Sequence, residues 1–262
     1  MGNAKMLTDS HCHLDKIDLA PFNNSFSEML SSAQDFGVSQ FLCVCIDTEN
    51  FKHVLEPAQK YPNIYCSVGV HPTHKESYAP SVNELVELAN HKEVIAIGET
   101  GLDYFRCEDD DMTWQHDLFR IHIRAAIETK KPLIIHTRSA REDTIRILKE
   151  EDADQVGGVM HCFAEDWDTA QQAMELNFYI SFSGIVTFNS AKELQDIARK
   201  IPSDKYLIET DSPWLAPVPN RGKPNQPAYV KYVAEKMADL RGCDYHQIAE
   251  ETTDNFNRLF KR

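Results

Sequence analysis

The 262-residue sequence reads as an α/β chain of the (β/α)8 type, a TIM-like barrel in a single domain spanning 1–262. Eight short apolar runs alternate with longer stretches of helical spacing, the order expected of a parallel sheet whose crossovers are helices. The length suits such barrels, typically ~250 residues. Histidines and acids stand at or just past the ends of most runs, where a barrel gathers its functional groups. A doubly wound open sheet is the alternative. It is weakened by a glycine count of only ten and by the lack of a GxGxxG after the first run. No GxxxxGK[ST] occurs either.

Taken in order, the first apolar run is 6–8, and it leads into TDSHCHLD at 8–15. Residues 26–36 and 50–60 are short amphipathic stretches, and they enclose a run at 40–46. A third run, 64–70, precedes a helix at 82–89, for which Ser81 is the N-cap. The run 94–98 is followed by a long helix at 110–130, with Leu118, Ile121, Ala125 and Ala126 at helical spacing. Runs at 132–135, 158–160, 178–182 and 206–208 complete the eight. The helices that go with them are expected at 142–150, 167–176, 191–200, 228–240 and 246–260.

Hydrophobic residues at 42% and aromatic residues at 10% provide for a sizeable core, and 26% charged residues is ordinary for a soluble enzyme. The net charge of −14 argues against a protein that binds nucleic acid mainly by neutralising phosphates. It leaves room for a local cationic site, which bound metal ions can create. Seven scattered cysteines without a CxxC predict reduced, mostly buried thiols. No stretch reaches the roughly 18 apolar residues of a membrane span. MGNAKM at 1–6 has no signal-peptide core, and Met6 stands where a myristoylation signal wants Ser or Thr. The expectation is a cytoplasmic monomer with no membrane association and no obligate protein partner.

His11 and His13 follow the first run, His71 the third and Glu99 the fourth. His136 ends the fifth run, His161 the sixth and Asp211 the eighth. Residues two apart on a strand point the same way, so His11 and His13 share a face, with Asp9 one layer deeper. HxH alone is weak evidence, since eleven histidines in this length supply roughly half such a match by chance. Singly, His136 could be a hydrogen-bonded core histidine, Glu99 a helix cap and Asp211 an N-cap before Ser212-Pro213. A metal site explains His11, His13, Glu99, His136, His161 and Asp211 together. Six ligands are too many for one open tetrahedral zinc and suit two cations sharing a carboxylate, with Glu99 as the bridge. Imidazole favours Zn, Ni, Fe or Mn, and carboxylate also tolerates Mg and Mn.

TDSHCHLD, GVHP, IGETGLDY, PLIIHTRSAREDT, HCF, LIETDSPWLAP and RGKPNQP, in this order, resemble the TatD family of metal-dependent hydrolases, within the amidohydrolase superfamily. The resemblance runs from residue 7 to about residue 260. Thr8 departs from it, standing where the family has a hydrophobic residue. The resemblance implies a barrel with two divalent ions (Mg2+, Mn2+ or Zn2+). His11, His13, Glu99 and Asp211 would hold one, and Glu99, His136 and His161 the other. It implies a deoxyribonuclease that acts on single-stranded DNA as a 3′→5′ exonuclease, through a metal-activated water.

In that chemistry Asp211 and Glu99 are the catalytic carboxylates, and Asp211 takes the water's proton. Arg138 is placed to grip a phosphate, and His71 to hold the phosphate or protonate the leaving oxygen. Arg221 and Lys223 lie in a loop that could touch the nucleic-acid backbone. Glu209, Asp15 and Asp103 are candidates to orient ligands. Tyr104, Phe105, Phe163, Trp167 and Trp214 are candidates to stack on a base. The same ligands would serve hydrolysis of a small-molecule amide, ester, lactone or phosphoester, or of aminoacyl-tRNA. A non-enzymatic metal-binding barrel is the remaining alternative.

Overall fold

The structure is a computed structural model that describes residues 6–75, 78–106 and 111–262. The expectations for residues 1–5, and for residue 110 as the start of the long helix, lie outside the described residues. The strands are β1 (Leu7–Cys12), β2 (Val38–Cys43), β3 (Ile64–Val68), β4 (Val94–Asp103), β5 (Leu133–Arg138), β6 (Gly158–Met160), β7 (Phe178–Phe182) and β8 (Tyr206–Ile208). Between them lie α1 (Phe26–Asp35), α2 (Lys52–Lys60), α3 (Val82–Ala89), α4 (Thr113–Thr129), α5 (Arg141–Glu150), α6 (Trp167–Glu175) and α7 (Lys192–Lys200). Two helices follow β8: α8 (Val230–Arg241) and α9 (Tyr245–Phe260). The sheet order is β1 to β8 in sequence, the order of a (β/α)8 barrel. Among the described residues, no helix is long and apolar enough to cross a membrane.

The chain is organised in two compact units, one of residues up to Cys43 with Ser181–Arg262, the other Val44–Ile180. In the first unit β1 and β2 pair in parallel, with Asp9 opposite Phe41 and Cys12 opposite Cys43. The chain beyond β8 lies against β1: Asp211 N donates to His11 O at 2.9 Å, and His13 N donates to Ser212 O at 2.8 Å. These bonds bring the last strand of the order beside the first. All six residues of β1 are buried although its sequence is LTDSHC. Thr8 is met by Gln40 and Thr253, and the next two polar groups from β8 and just beyond. Ser10 Oγ donates to Ile208 O at 2.9 Å, and the Thr210 hydroxyl donates to Asp9 at 2.6 Å. Phe41, Phe182, Tyr206 and Phe256 form the apolar core of this unit.

In the second unit β3, β4, β5, β6 and the start of β7 pair in parallel. Two strands here outrun their apolar runs, while β3 stops at Val68, short of the expected 70. An apolar run marks a strand only while its residues are apolar, and this sheet buries polar ones. β4 continues past Gly98 through Glu99 to Asp103, every residue buried, and pairs Gly101 with His136 and Asp103 with Arg138. β5 likewise runs three residues past Ile135. Conversely β2 stops at Cys43, short of the expected 46. Cys45 N donates instead to the Ser67 hydroxyl, and Ile46 O accepts from His71 N. The capping box at α3 has Ser81 and Glu84 bonding each other's backbone N–H, as the N-cap reading requires.

One buried histidine ties α4 to the end of β3. His122 is inaccessible to solvent; Nδ1 donates to Leu118 O at 2.8 Å, and Nε2 accepts from Val70 N at 3.0 Å. The bond from Val70 needs an unprotonated Nε2, and so the neutral ring. Burial pushes the His122 pKa from 6.5 down to about 4, against the Leu118 bond, which raises it. The unfolded chain therefore binds this proton first, and stability is lost as pH falls from 6.5 through about 4. Over that window the wild type should lose about 3 kcal/mol more than His122→Gln, measured by urea unfolding at each pH. Parallel pH profiles for the two proteins would show that His122 is not the group responsible.

Candidate active site

In the first unit, β1 and its continuation put His11 and His13 on one side, with their Nε2 atoms 3.2 Å apart. Asp211 Oδ1 lies 3.6 Å from the first and 3.4 Å from the second. Two ligand atoms on a tetrahedral cation with ~2.1 Å bonds sit ~3.4 Å apart. The three edges match that spacing, and the donors are the imidazole and carboxylate types that divalent ions take. Asp211 reaches this position through a left-handed backbone at φ +54°, and its carbonyl accepts from Trp214 N at 3.0 Å. The two carboxylates deeper in this unit have other partners. Asp9 accepts from Thr210 N at 2.9 Å and from the Thr210 hydroxyl. Burial pushes its carboxyl up to about 8, against those two donors, which lower it. Glu209 accepts from Ser181 Oγ at 2.5 Å.

In the second unit, one carboxylate oxygen faces three imidazoles. Glu99 Oε1 lies 2.9 Å from His161 Nε2, 3.2 Å from His136 Nδ1 and 3.3 Å from His71 Nε2. Glu99 and His136 were expected at strand ends, but they sit inside β4 and β5, because β4 continues through buried polar residues and β5 through half-buried ones paired with it. His136 Nε2 bonds Asp103 Oδ2 at 3.0 Å, which leaves Nδ1 as the nitrogen turned toward Glu99. Asp103 is itself fixed. Its Oδ1 accepts from Arg106 N, and its backbone N–H and C=O both bond the buried Gln115 amide on α4. Burial alone would lower the His136 pKa, but the Asp103 and Glu99 carboxylates outweigh it and hold it raised. Asp103 stays low for the matching reason: burial pushes it up, and the His136 and Arg106 hydrogen bonds more than offset that.

His71 behaves differently. Burial holds its pKa below the usual value, so the ring is neutral near pH 7. Its Nδ1 accepts from Thr73 N at 3.2 Å and lies 2.7 Å from the Thr73 hydroxyl. The one ring proton is then on Nε2, facing Glu99 and His136. His71, Glu99 and His136 are close enough to share a cation, but this tautomer makes His71 a hydrogen-bond donor into the site.

Arg138 lies on β5 two residues after His136, with its guanidinium carbon 3.9 Å above the exposed Phe105 ring. Arg221 stacks on Phe188 at 4.3 Å. Tyr104, one of the stacking candidates, is tied down by Asp143 and His116, each at 2.6 Å. Phe163 is buried, which removes it as a stacking surface. Asp15 pairs with Lys16 at 2.8 Å. Gln115, Thr73, Thr210 and Asn225 bond the site residues or the segments that carry them, and sequence reasoning missed these roles. A neutral polar residue within a helix or loop gives no pattern, and its partner is set only by the fold.

The fold, with its histidine and carboxylate sets, defines a metal-dependent hydrolase of the barrel class. The comparisons place it more closely. The model of the family described as TatD related DNase matches residues 8–261, and the chain belongs to that family. It is 46% identical to the uncharacterized metal-dependent hydrolase YcfH of Escherichia coli K12 over 97% of this chain and 95% of that one. It is 30% identical to the 3′-5′ ssDNA/RNA exonuclease TatD of Salmonella typhimurium over 92% of this chain and 94% of that one. Among solved structures, the TatD homologue YJJV of Escherichia coli K12 superposes with a TM-score of 0.87 at 28% identity, covering 99% of both chains.

Two outcomes are expected. Asp103→Asn should weaken divalent-metal affinity about 10- to 100-fold in calorimetric titration, because His136 loses the group that holds its Nε2 proton. Unaltered affinity would mean that Asp103 does not orient the ligand. At Gly101, φ is +135°, and an added Cβ would lie 2.0 Å from His136 O. Gly101→Ala should therefore cost about 2–4 kcal/mol in urea unfolding and lower metal affinity as β4 and β5 separate.

Proposed function

We infer that the chain is a divalent-metal-dependent deoxyribonuclease that hydrolyses phosphodiester bonds of single-stranded DNA from the 3′ end. The observation that carries the metal chemistry is the spacing of the ligand atoms: His11, His13 and Asp211 in one unit, and Glu99, His136 and His161 in the other. In this reading His11, His13, Glu99 and Asp211 hold one cation and Glu99, His136 and His161 the other, with Mg2+, Mn2+ or Zn2+ as candidates. When bound, such ions supply an activated water and neutralise phosphate charge. Support for a nucleic-acid substrate comes from the relative named as a 3′-5′ ssDNA/RNA exonuclease. Much of the chain's similarity is to hydrolases of uncharacterized substrate.

The chain's own groups then take these roles. Asp211, 14% exposed at its side chain, accepts the attacking water's proton. His71 directs its Nε2 proton at the phosphate or the leaving oxygen, with Thr73 holding the tautomer. Arg138 grips a non-bridging oxygen, and Phe105 keeps its guanidinium plane in place. Arg221 touches the backbone further along the strand. We read the chain as one catalytic domain, acting in the cytoplasm as a monomer without a membrane or obligate protein partner.

A second reading, hydrolysis of a small ester, amide, phosphoester or aminoacyl-tRNA, is favoured by the net charge of −14, which repels a long polyanion. The two readings separate in one experiment. Single-stranded DNA labelled at its 5′ end is incubated with chelated protein and then with Mg2+, Mn2+ or Zn2+. The nuclease reading expects a ladder that shortens from the 3′ end. Asp211→Asn should slow it by about 10²–10⁴-fold. Glu99→Gln should abolish it with a smaller change in melting temperature. Intact DNA under every ion, from folded and metal-loaded protein, would shift the assignment to the small-molecule or aminoacyl-ester reading.

A further inference from the structure

Of the chain's three tryptophans, Trp214 is the exposed one, at 49%; Trp114 and Trp167 are half-buried. Trp214 is carried by a segment outside the helices and strands. Its backbone is held at several points. Trp214 N donates to Asp211 O at 3.0 Å, and Trp214 O accepts from Asn225 Nδ2 at 2.6 Å. Asn225 is buried, and the same amide also donates to Thr210 O at 2.8 Å, while Asn225 N donates to Pro213 O at 3.0 Å. On the far side, Gly184 lies so close to Leu215 that an added Cβ would be 2.0 Å from Leu215 O. Thr187 Oγ1 accepts from Val218 N at 2.9 Å. The frame is tied at each of these points, and the residue it carries is left open to solvent.

The ring is also set against the ligands. The indole meets His13 edge-on, with centroids 5.0 Å apart and planes at 66°. Three residues before it stands Asp211, which contacts both His11 and His13. An open aromatic face held beside the reacting position suits a flat aromatic group on the substrate, next to the bond to be cut. The geometry points to Trp214 as the stacking platform for the terminal nucleobase, the specificity-determining contact of this site. This rests on the nucleic-acid reading above. Stacking does not distinguish among bases, since each has a π face, so the platform recognises that a base is present and not which one. It also works without cationic charge, which fits an acidic protein that cannot rely on phosphate neutralisation alone.

The test uses metal-loaded full-length protein and two single-stranded oligonucleotides, one with a natural 3′-terminal nucleotide and one with an abasic tetrahydrofuran residue there. Base–aromatic stacking of ~1–3 kcal/mol converts to a ~5- to 150-fold lower KM for the natural end. Trp214→Ala should erase that difference by raising KM on the natural strand, with KM on the abasic strand and metal content unchanged. Trp214→Phe should keep most of the difference. Binding of the natural strand should quench wild-type tryptophan fluorescence more than binding of the abasic one. If Trp214→Ala fails to fold, Trp214→Leu fills the volume without a π face and should give the same pattern. Equal KM for both strands in the wild type, or equal losses on both in the variants, would overturn the stacking role and leave the nuclease reading standing. A wild type that cuts neither strand would remove both.

Discussion

A carboxylate taken out of water has to be met by donors or by positive charge, and around Glu99 that requirement organises the second unit. Glu99 is 3% exposed, and one of its oxygens faces three imidazoles. They come from the turn after β3, the middle of β5 and the residue after β6. Breaking such a buried arrangement by removing one partner typically costs about 3–5 kcal/mol. The strands must therefore come close enough for short side chains to converge. Gly101 shows how this is met: it lies against the backbone of His136, where no side chain fits.

The same requirement explains the outer partners. An imidazole that is to offer one nitrogen needs its other nitrogen occupied. His136 has Asp103, held by Gln115 and the Arg106 amide, and His71 has Thr73. These contacts give the two rings different roles although both face the same carboxylate. With Nε2 held by Asp103, His136 turns Nδ1 inward as the nitrogen a cation would take, and His71 turns a donor inward. In the first unit, Asp9 and Glu209 are satisfied by hydroxyl and amide donors, so two nearby carboxylates are kept in hydrogen bonds of their own.

Such a ligand set specifies hydrolysis more firmly than it specifies a substrate. Carbonyl and phosphoryl centres are both attacked by an activated water, and the same imidazoles and carboxylates serve either. Selectivity has to come from groups around the ligands, and those proposed above are a guanidinium at Arg138, a proton at His71 and an open ring at Trp214. Each is built on a fixed element, which is what positional discrimination needs.

The order of apolar runs and helical stretches was enough to establish the barrel class, since strand and helix periodicities are local and each segment carries its own. The types of residue at the run ends marked His11, His13, His71, Glu99, His136, His161 and Asp211 as candidates; the structure gathers His11, His13 and Asp211 in one unit and His71, Glu99, His136 and His161 in the other. Three things were decided only by the tertiary structure. Where β4 and β5 end depends on whether Glu99, Asp103 and His136 meet a partner on folding, which no residue-by-residue polarity reveals. Whether His71 is ligand or donor depends on a Thr73 amide turned back onto its ring. Whether Trp214 is core or surface depends on Asn225 eleven residues later, whose side chain bonds two carbonyls of a loop that gives no periodic signal. In each case the deciding contact is a directional hydrogen bond between groups that the chain brings together only on folding, so the information lies in the pairing and not in either residue alone.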